Sequence, residues 1–303
     1  MLGRYGQRVG PRRDGGRPTA ATAAPVRVLV IDDDLRLWVR LLRLRPSRLW
    51  QWRWARSGET GLALARATVP DVVVVRLDLP DRDGWEICRG LRTDPATMGV
   101  PIVMSRVPGS ETCRPRGVRV CADVVVPRPF TTADLVRAVR RAKRWRTRWD
   151  RQGVRAEVRF EFDSRSESLF EADQILETLS RSVRLGPGRL TRLRQAFLEI
   201  ASNAIEWGNR LVPSRLVAGV MRIYDDRLEL SVRDQGEGFD PDDLPHACDG
   251  IDPLAHLERR ERMGLREGGF GLLIARRLVD ELRHGDGGSE ATLVMRLDTE
   301  APA

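Results

Sequence analysis

The chain has 303 residues, of which 41% are hydrophobic and 31% are charged, so it can bury the cores of two domains of roughly 150 residues each. It contains no run of about 18 apolar residues, so we expect no membrane span. The four cysteines form no C-x-x-C pair, which argues against a zinc site and fits a reducing cytoplasm.

Charge is divided unevenly along the chain. Residues 1–150 hold 30 Lys and Arg against 15 Asp and Glu, a net charge of +15, whereas the rest holds 22 against 28, a net charge of −6. Residues 1–25 are rich in Gly, Pro, Ala and Arg, and we expect a disordered basic tail without a secretory signal.

The first half alternates strands with helices from residue 26 to about residue 145. Val26–Ile31 is an apolar strand that ends in Asp32 and Asp33. Apolar strands separated by helices predict a parallel sheet that is covered on both faces. Such folds bind ligands at the carboxyl ends of their strands, where these two aspartates lie.

This half resembles a response-regulator receiver domain, which implies a flavodoxin-like, doubly wound parallel sheet. Asp32 and Asp33 fit the metal-binding acidic pair of that family. The loop Leu79–Gly84 and the tripeptide Arg128-Pro129-Phe130 fit two further motifs. The match covers residues 26–146.

Arg76 stands where the receiver family has its phosphoryl-accepting aspartate. A guanidinium cannot accept a phosphoryl group, and it remains cationic at physiological pH. We therefore interpret Asp32, Asp33, Arg76 and Arg128 as a degenerate receiver pocket, in which Arg76 pairs with an aspartate at the position of the metal. Asp78 is the alternative acceptor. The switch hydroxyl position falls on Ser105 or on Arg106.

Arg137–Arg148 is a basic run with interleaved tryptophans. We expect it to continue the last helix of the first half into a linker, with arginine stems covering apolar surface. Nucleic-acid contact is the alternative, and we do not expect nucleic acid or a membrane to be a partner. Trp50, Trp52 and Trp54 alternate along a strand, so we expect them to share one face as core, with docking of a partner as the alternative.

In the second half, Arg192–Trp207 has helical periodicity and carries Glu199 and Asn203 four residues apart, on one face. A carboxylate above a carboxamide suits a metal–phosphate site. The strand Leu228–Arg233 is followed by Asp234, Gly236 and Gly238. The region Gly268–Leu282 is a glycine cluster that leads into a helix, and such a turn binds anions.

Together these segments resemble the Bergerat-fold ATPases, most closely the anti-sigma-factor serine kinases of the RsbW and SpoIIAB type. The resemblance implies an α/β two-layer sandwich over residues 155–298, after a linker at 147–154, with a lid over Asp242–Glu267. It also implies a set of roles in binding ATP and Mg²⁺. Glu199 is the catalytic base, Asn203 is the metal ligand, and the nucleotide-binding residues are Asn203, Asp234, Gly236, Gly238, Arg266, Gly268, Gly269, Gly271 and Thr292.

The resemblance further implies a cytoplasmic protein serine/threonine kinase that phosphorylates or sequesters a partner, of the STAS antagonist or sigma-factor type. It also implies a homodimer formed through the ATP domain. A non-catalytic, ATP-dependent adaptor is the alternative. Histidine kinase activity is disfavoured because the three histidines, His246, His256 and His284, all follow Asp234.

Overall fold

The computed structural model describes residues 24–43, 49–109, 117–181, 183, 185–238, 270–285 and 287–298. The lid predicted at Asp242–Glu267, and the candidate residues Arg266, Gly268 and Gly269, lie outside the described residues. No helix within the described ranges combines the length and the apolar character that crossing a membrane requires.

The first half forms the predicted parallel sheet. Its five strands stand in the order β2-β1-β3-β4-β6, and all neighbours are parallel. Buried apolar runs such as the four valines of β3 form its centre. The elements are β1 (Val26–Ile31), α1 (Leu35–Leu42), β2 (Trp50–Ala55), α2 (Gly58–Thr68), β3 (Val72–Arg76), α3 (Gly84–Arg92), β4 (Ile102–Arg106), β6 (Val124–Pro127) and α4 (Thr132–Arg151).

Side-chain caps fix where three of these helices begin. Ser57 and Asp83 accept backbone hydrogen bonds at the starts of α2 and α3. At α4, Thr131 and Asp134 form a reciprocal capping box. Trp52 is buried between β2 and the helices of its face, and Trp50 and Trp54 pack beside it, so this row belongs to the core.

The second half is an antiparallel sheet with helices on one face. Its strand order is β10-β11-β9-β8-β7-β5. Alternate residues of each strand point toward α5 and α6 and form the core. The elements are β5 (Val118–Val120), β7 (Ala156–Asp163), α5 (Ser166–Ser180), α6 (Pro187–Asn203), β8 (Leu216–Ile223), β9 (Arg227–Arg233), α7 (Gly271–Leu278), β10 (Glu281–His284) and β11 (Glu290–Arg296).

One strand of this sheet comes from the first half of the chain. Val118, Arg119 and Val120 of β5 pair antiparallel with Phe162, Glu161 and Phe160 of β7. Three residues later the chain enters β6 in the parallel sheet. The two sheets therefore share a continuous stretch of chain and a common core, which joins α3 and Val120 to β7 and α6.

The helix α4 continues to Arg151 and Val154 is buried, so the segment 147–154 begins as helix, and its role as a linker stays a prediction. One helix boundary differs from the sequence prediction. The helix predicted after the glycine cluster does not reach Leu282. It stops at Leu278, and Leu282 lies in β10, paired with Leu293. A hairpin with β11 outweighs the helical spacing there, since strand pairing is a tertiary contact that local periodicity does not encode.

A buried ion pair lies where the two sheets meet. Arg92, in the last turn of α3, places Nη2 2.6 Å from Asp123 Oδ2, and the side chains are 0% and 2% exposed. Arg92 Nη1 donates to the carbonyl oxygens of Met98 at 2.6 Å and Val100 at 2.8 Å. The same Asp123 oxygen accepts the amide of Ile102 at 2.6 Å. This network fixes the three-residue connection between β5 and β6.

We predict that Arg92→Leu lowers the free energy of unfolding by about 3–5 kcal/mol, because it leaves the Asp123 carboxylate buried without its cation. Arg66→Leu is the matched control. It removes an arginine that is 54% exposed and pairs with Asp94 at 2.7 Å, so its cost is below about 1 kcal/mol. Urea unfolding of both variants measures the difference, and equal losses would contradict a structural role for the buried pair.

Candidate functional site

Glu199 and Asn203 lie side by side against the start of α7. A β-carbon built on Gly271 would stand 2.6 Å from Glu199 Oε2 and 3.4 Å from Asn203 Nδ2. The absence of a side chain at Gly271 therefore leaves room for both polar groups. The structure thus brings these three predicted site residues together.

The predicted helix Arg192–Trp207 ends sooner than its periodicity suggests. Regular α-helix stops at Asn203, and Ala204–Gly208 forms a π-helical turn closed by the bond from Asn209 N to Ala204 O at 2.7 Å. Single π-turns often occur at functional sites. Here the wider turn places Gly208 directly against Asp234, and no sequence period signals such a contact.

Asp234 is enclosed by glycines. A β-carbon on Gly208 would lie 2.2 Å from Asp234 Cγ, and one on Gly236 would lie 2.6 Å from the carbonyl oxygen of Gly208. The amide of Gly236 donates to Asp234 Oδ1 at 2.7 Å. Partial burial raises the pKa of Asp234, against the opposing effect of that amide. Asp234 is therefore a half-buried acceptor held by backbone.

Asn209 organises this site, and the motif analysis did not single it out. Its side chain is fully buried and its Oδ1 accepts the amide of Gln235 at 2.9 Å. Its Nδ2 donates to Ser164 Oγ at 2.9 Å and to the carbonyl oxygen of Leu216 at 3.2 Å. In the sequence Asn209 directly follows Gly208, and that neighbouring position is the one available signal.

Gly238 brings the segment that follows β9 into contact with the β10–β11 turn. Its φ is +80°, and a β-carbon there would lie 1.6 Å from the carbonyl oxygen of Gly287 and 3.1 Å from the amide of Ser289. Only glycine fits such a close approach with a left-handed backbone. The adjacent carbonyl of Ser289 accepts the amide of Asp234 at 3.1 Å.

Thr292 does not join this site. It pairs with Ser231 in the sheet, and the two hydroxyl oxygens are 2.8 Å apart. Its neighbours Ala291 and Leu293 belong to the helix-facing core, whereas Asp234 continues the inward row of Leu230 and Val232. Because strand residues alternate between faces, Thr292 points to the opposite side from Asp234. The structure thus does not bring Thr292 together with Asp234, and its role beside the base stays a prediction.

The described part of the site has the features that a nucleotide requires. At glycines 208, 236, 238 and 271 a β-carbon would collide with Asp234, Gly208, Gly287 and Glu199 respectively, so glycine at these positions lets the walls of the site pack closely. Asp234 can accept a hydrogen bond from an amino group. Asn203 and Glu199 carry amide and carboxylate oxygens, the kinds of atom that Mg²⁺ prefers as ligands.

A second constellation lies at the carboxyl end of the parallel sheet. Arg128 Nη2 contacts Asp32 Oδ2, and Arg128 Nε donates to Ser105 Oγ at 3.2 Å. Arg76 Nη1 contacts Asp33 Oδ1 and lies 3.8 Å from Asp32 Oδ1. The structure therefore brings together all four residues of the predicted degenerate pocket, and Ser105 joins them.

Asp32 is almost fully buried in this pocket, with 1% of its surface exposed. Burial raises its pKa, while the amide of Asp34 and the guanidiniums of Arg128 and Arg76 oppose that rise. Because two cations lie against the acidic pair, the oxygens that would hold a divalent metal are already engaged.

Two protein families match separate parts of the chain. Residues 28–140 match the response regulator receiver domain, and residues 162–297 match the histidine kinase-like ATPase domain. The response regulator MprA of Mycolicibacterium vanbaalenii is 31% identical over 178 residues, which cover 58% of this chain and 71% of MprA. The chain belongs to the response regulator family.

Other response regulators match over the first half. PleD of Caulobacter vibrioides is 30% identical over 121 residues, which are 40% of this chain and 26% of PleD. The crystal structure of a response regulator from Chloroflexus aurantiacus is 25% identical, with a TM-score of 0.35, and the match covers 40% of this chain and 98% of that one. The two family matches give this response regulator a receiver domain followed by a histidine kinase-like ATPase domain.

We predict that Gly208→Ala lowers ATP affinity by about 10- to 100-fold, the equivalent of about 1.5–3 kcal/mol for a displaced hydrogen bond to a charged group. The added methyl group would overlap the carboxylate of Asp234. Calorimetric titration of ATP into the full chain measures the effect. Gly188→Ala is the matched control, because a β-carbon at Gly188 meets nothing within 4 Å. Equal ATP affinities of the two variants would mean that the adenine does not bind at Asp234.

Proposed function

We propose that this response regulator binds ATP with Mg²⁺ and phosphorylates a serine or threonine of a protein partner, which it also sequesters, as anti-sigma-factor kinases do. The supporting observation is the meeting of Glu199, Asn203 and Gly271 at the start of α7. The match of residues 162–297 to the histidine kinase-like ATPase domain supports the nucleotide. A STAS-type antagonist or a sigma factor is the partner class that we propose.

Each residue has a distinct part in this proposal. Asn203 would hold Mg²⁺, whose charge neutralises the phosphates when it is bound. Glu199 accepts the proton of the partner's hydroxyl group as that oxygen bonds to the terminal phosphorus and ADP leaves with the bridging oxygen. Phosphoryl transfer depends mainly on positioning and on charge stabilisation. Asp234 and its glycines position the nucleotide, and Asn209 positions the loop after Asp234.

The kinase proposal predicts that Glu199→Ala and Asn203→Ala behave differently. Glu199→Ala keeps ATP affinity within a few-fold but lowers transfer to the partner by about 10²- to 10⁴-fold, the usual contribution of a general base. Asn203→Ala loses the Mg²⁺-dependent part of ATP binding. Calorimetry with and without Mg²⁺, and label transfer from γ-labelled ATP to purified STAS-domain proteins, separate the two effects.

A non-catalytic adaptor would give another result. In that case ATP binds, Glu199→Ala leaves partner regulation unchanged, and no label is transferred. The adaptor remains the second candidate because the residues that bind nucleotide and those that transfer phosphate overlap in this site. Absence of ATP binding to the wild-type chain would overturn both functions.

We further propose that the receiver half does not accept a phosphoryl group on aspartate. Arg76 stands at the end of β3 against Asp33, and Arg128 stands against Asp32. A guanidinium is not a nucleophile, and it remains charged at physiological pH. The pocket is held together by its own ion pairs.

We predict that the full chain takes up no label above background from labelled acetyl phosphate in the presence of Mg²⁺. A receiver protein that has an aspartate at the position of Arg76, treated in parallel, provides the positive control. Asp78, which is exposed on the following loop, is the alternative acceptor. Stoichiometric labelling that disappears in Asp78→Asn would show that the pocket is active after all.

A further inference from the structure

The outward side of α4 carries a row of arginines. Its inward side is apolar and buried, with Leu135, Val139, Ala142 and Trp149. The opposite side is exposed, and we call its arginines the α4 stripe: Arg137, Arg140, Arg141, Arg144, Arg148 and Arg151.

Helix geometry makes this stripe continuous. At 3.6 residues per turn the six side chains fall within an arc of about 100°, and the row extends about 21 Å along the axis. The remaining residue in that arc is Ala133, so no acidic side chain interrupts the row. The capping Asp134 and the later Asp150 both lie outside the arc.

Most of the stripe has no counter-charge among the residues that the structure describes. Arg137 contacts Asp134 at 3.3 Å and is 75% exposed, and Arg140 lies over the ring of Trp50 at 5.8 Å. No acidic partner is found for the other four within the described ranges. The inward Arg146 differs, because it bonds the carbonyl of Gly99 at 3.0 Å and pairs with Asp150 at 2.9 Å.

Folding alone does not account for the stripe. Like charges at i and i+4, such as Arg140 with Arg144 and Arg144 with Arg148, oppose helix formation. The helix dipole favours cations only in the last turn, which explains Arg148 and Arg151 but not the first four. The sequence interpretation, in which arginine stems cover apolar surface, fits Arg146 better than it fits the exposed stripe. An external polyanion would relieve the repulsion along such a row.

We propose that the α4 stripe binds the phosphate backbone of nucleic acid without regard to base sequence. Arginine pairs with phosphate through two parallel hydrogen bonds, and a linear row suits a linear array of phosphates. The arc contains no large apolar side chain that could enter a lipid bilayer. It also contains no Asn or Gln, the side chains that pair with adenine through two hydrogen bonds. The net charge of +15 over residues 1–150 favours the same partner.

Fluorescence anisotropy of a labelled duplex of mixed sequence, titrated with the full chain at several salt concentrations, tests the proposal. Neutralising six phosphates gives a slope of log K against log salt of about −5. The triple variant Arg141→Gln, Arg144→Gln, Arg148→Gln reduces the slope by nearly 3 and the affinity by at least about tenfold at low salt.

The matched control removes the same charge elsewhere, through Arg66→Gln, Arg181→Gln and Arg192→Gln, all at exposed positions outside α4. An equal loss in both triples would assign binding to net charge and overturn the stripe. Absence of duplex binding, or tighter binding to polyglutamate or to anionic phospholipid vesicles, would also overturn it. ATP affinity is unchanged in the stripe triple, so the outcome is independent of the proposed kinase function.

Discussion

The connection between β5 and β6 constrains the whole molecule. Three residues separate a strand of the antiparallel sheet from a strand of the parallel sheet, and the last of them, Asp123, is held by the buried Arg92. A charge pair without access to water keeps its geometry strictly, since either ion alone would be costly to bury. The pair therefore holds the end of α3 against this connection. Arg128 directly follows β6, so the position of β6 also fixes the position of the receiver pocket.

The two sites show how the surroundings of a buried aspartate decide its use. Asp32 and Asp234 both have raised pKa values because burial disfavours their charge. Guanidiniums lie against Asp32, so its oxygens are engaged within the protein. Asp234 is held by a backbone amide and surrounded by glycines. The ion pairs of Asp32 occupy its pocket, whereas Asp234 keeps a carboxylate that can accept a hydrogen bond from a ligand.

Much of this organisation could be predicted from the sequence because it depends on local pattern. Unbroken valine runs identify parallel strands, and the four-residue spacing of Glu199 and Asn203 places them on one helix face. Features that depend on distant contacts escaped prediction. The short β5 has no period of its own and exists because β7 pairs with it. The π-turn places Gly208 against Asp234, a contact that has no sequence period, and Thr292 faces the other side of the sheet because strand residues alternate, which the motif does not specify.

The shared sheet edge also affects how such a protein can evolve. Here β5 covers the edge of β7 at Phe160–Phe162, and an uncovered edge strand invites pairing with other chains. A replacement receiver would have to bring a strand in the same register. Inheritance of the two halves as one unit is the expected result.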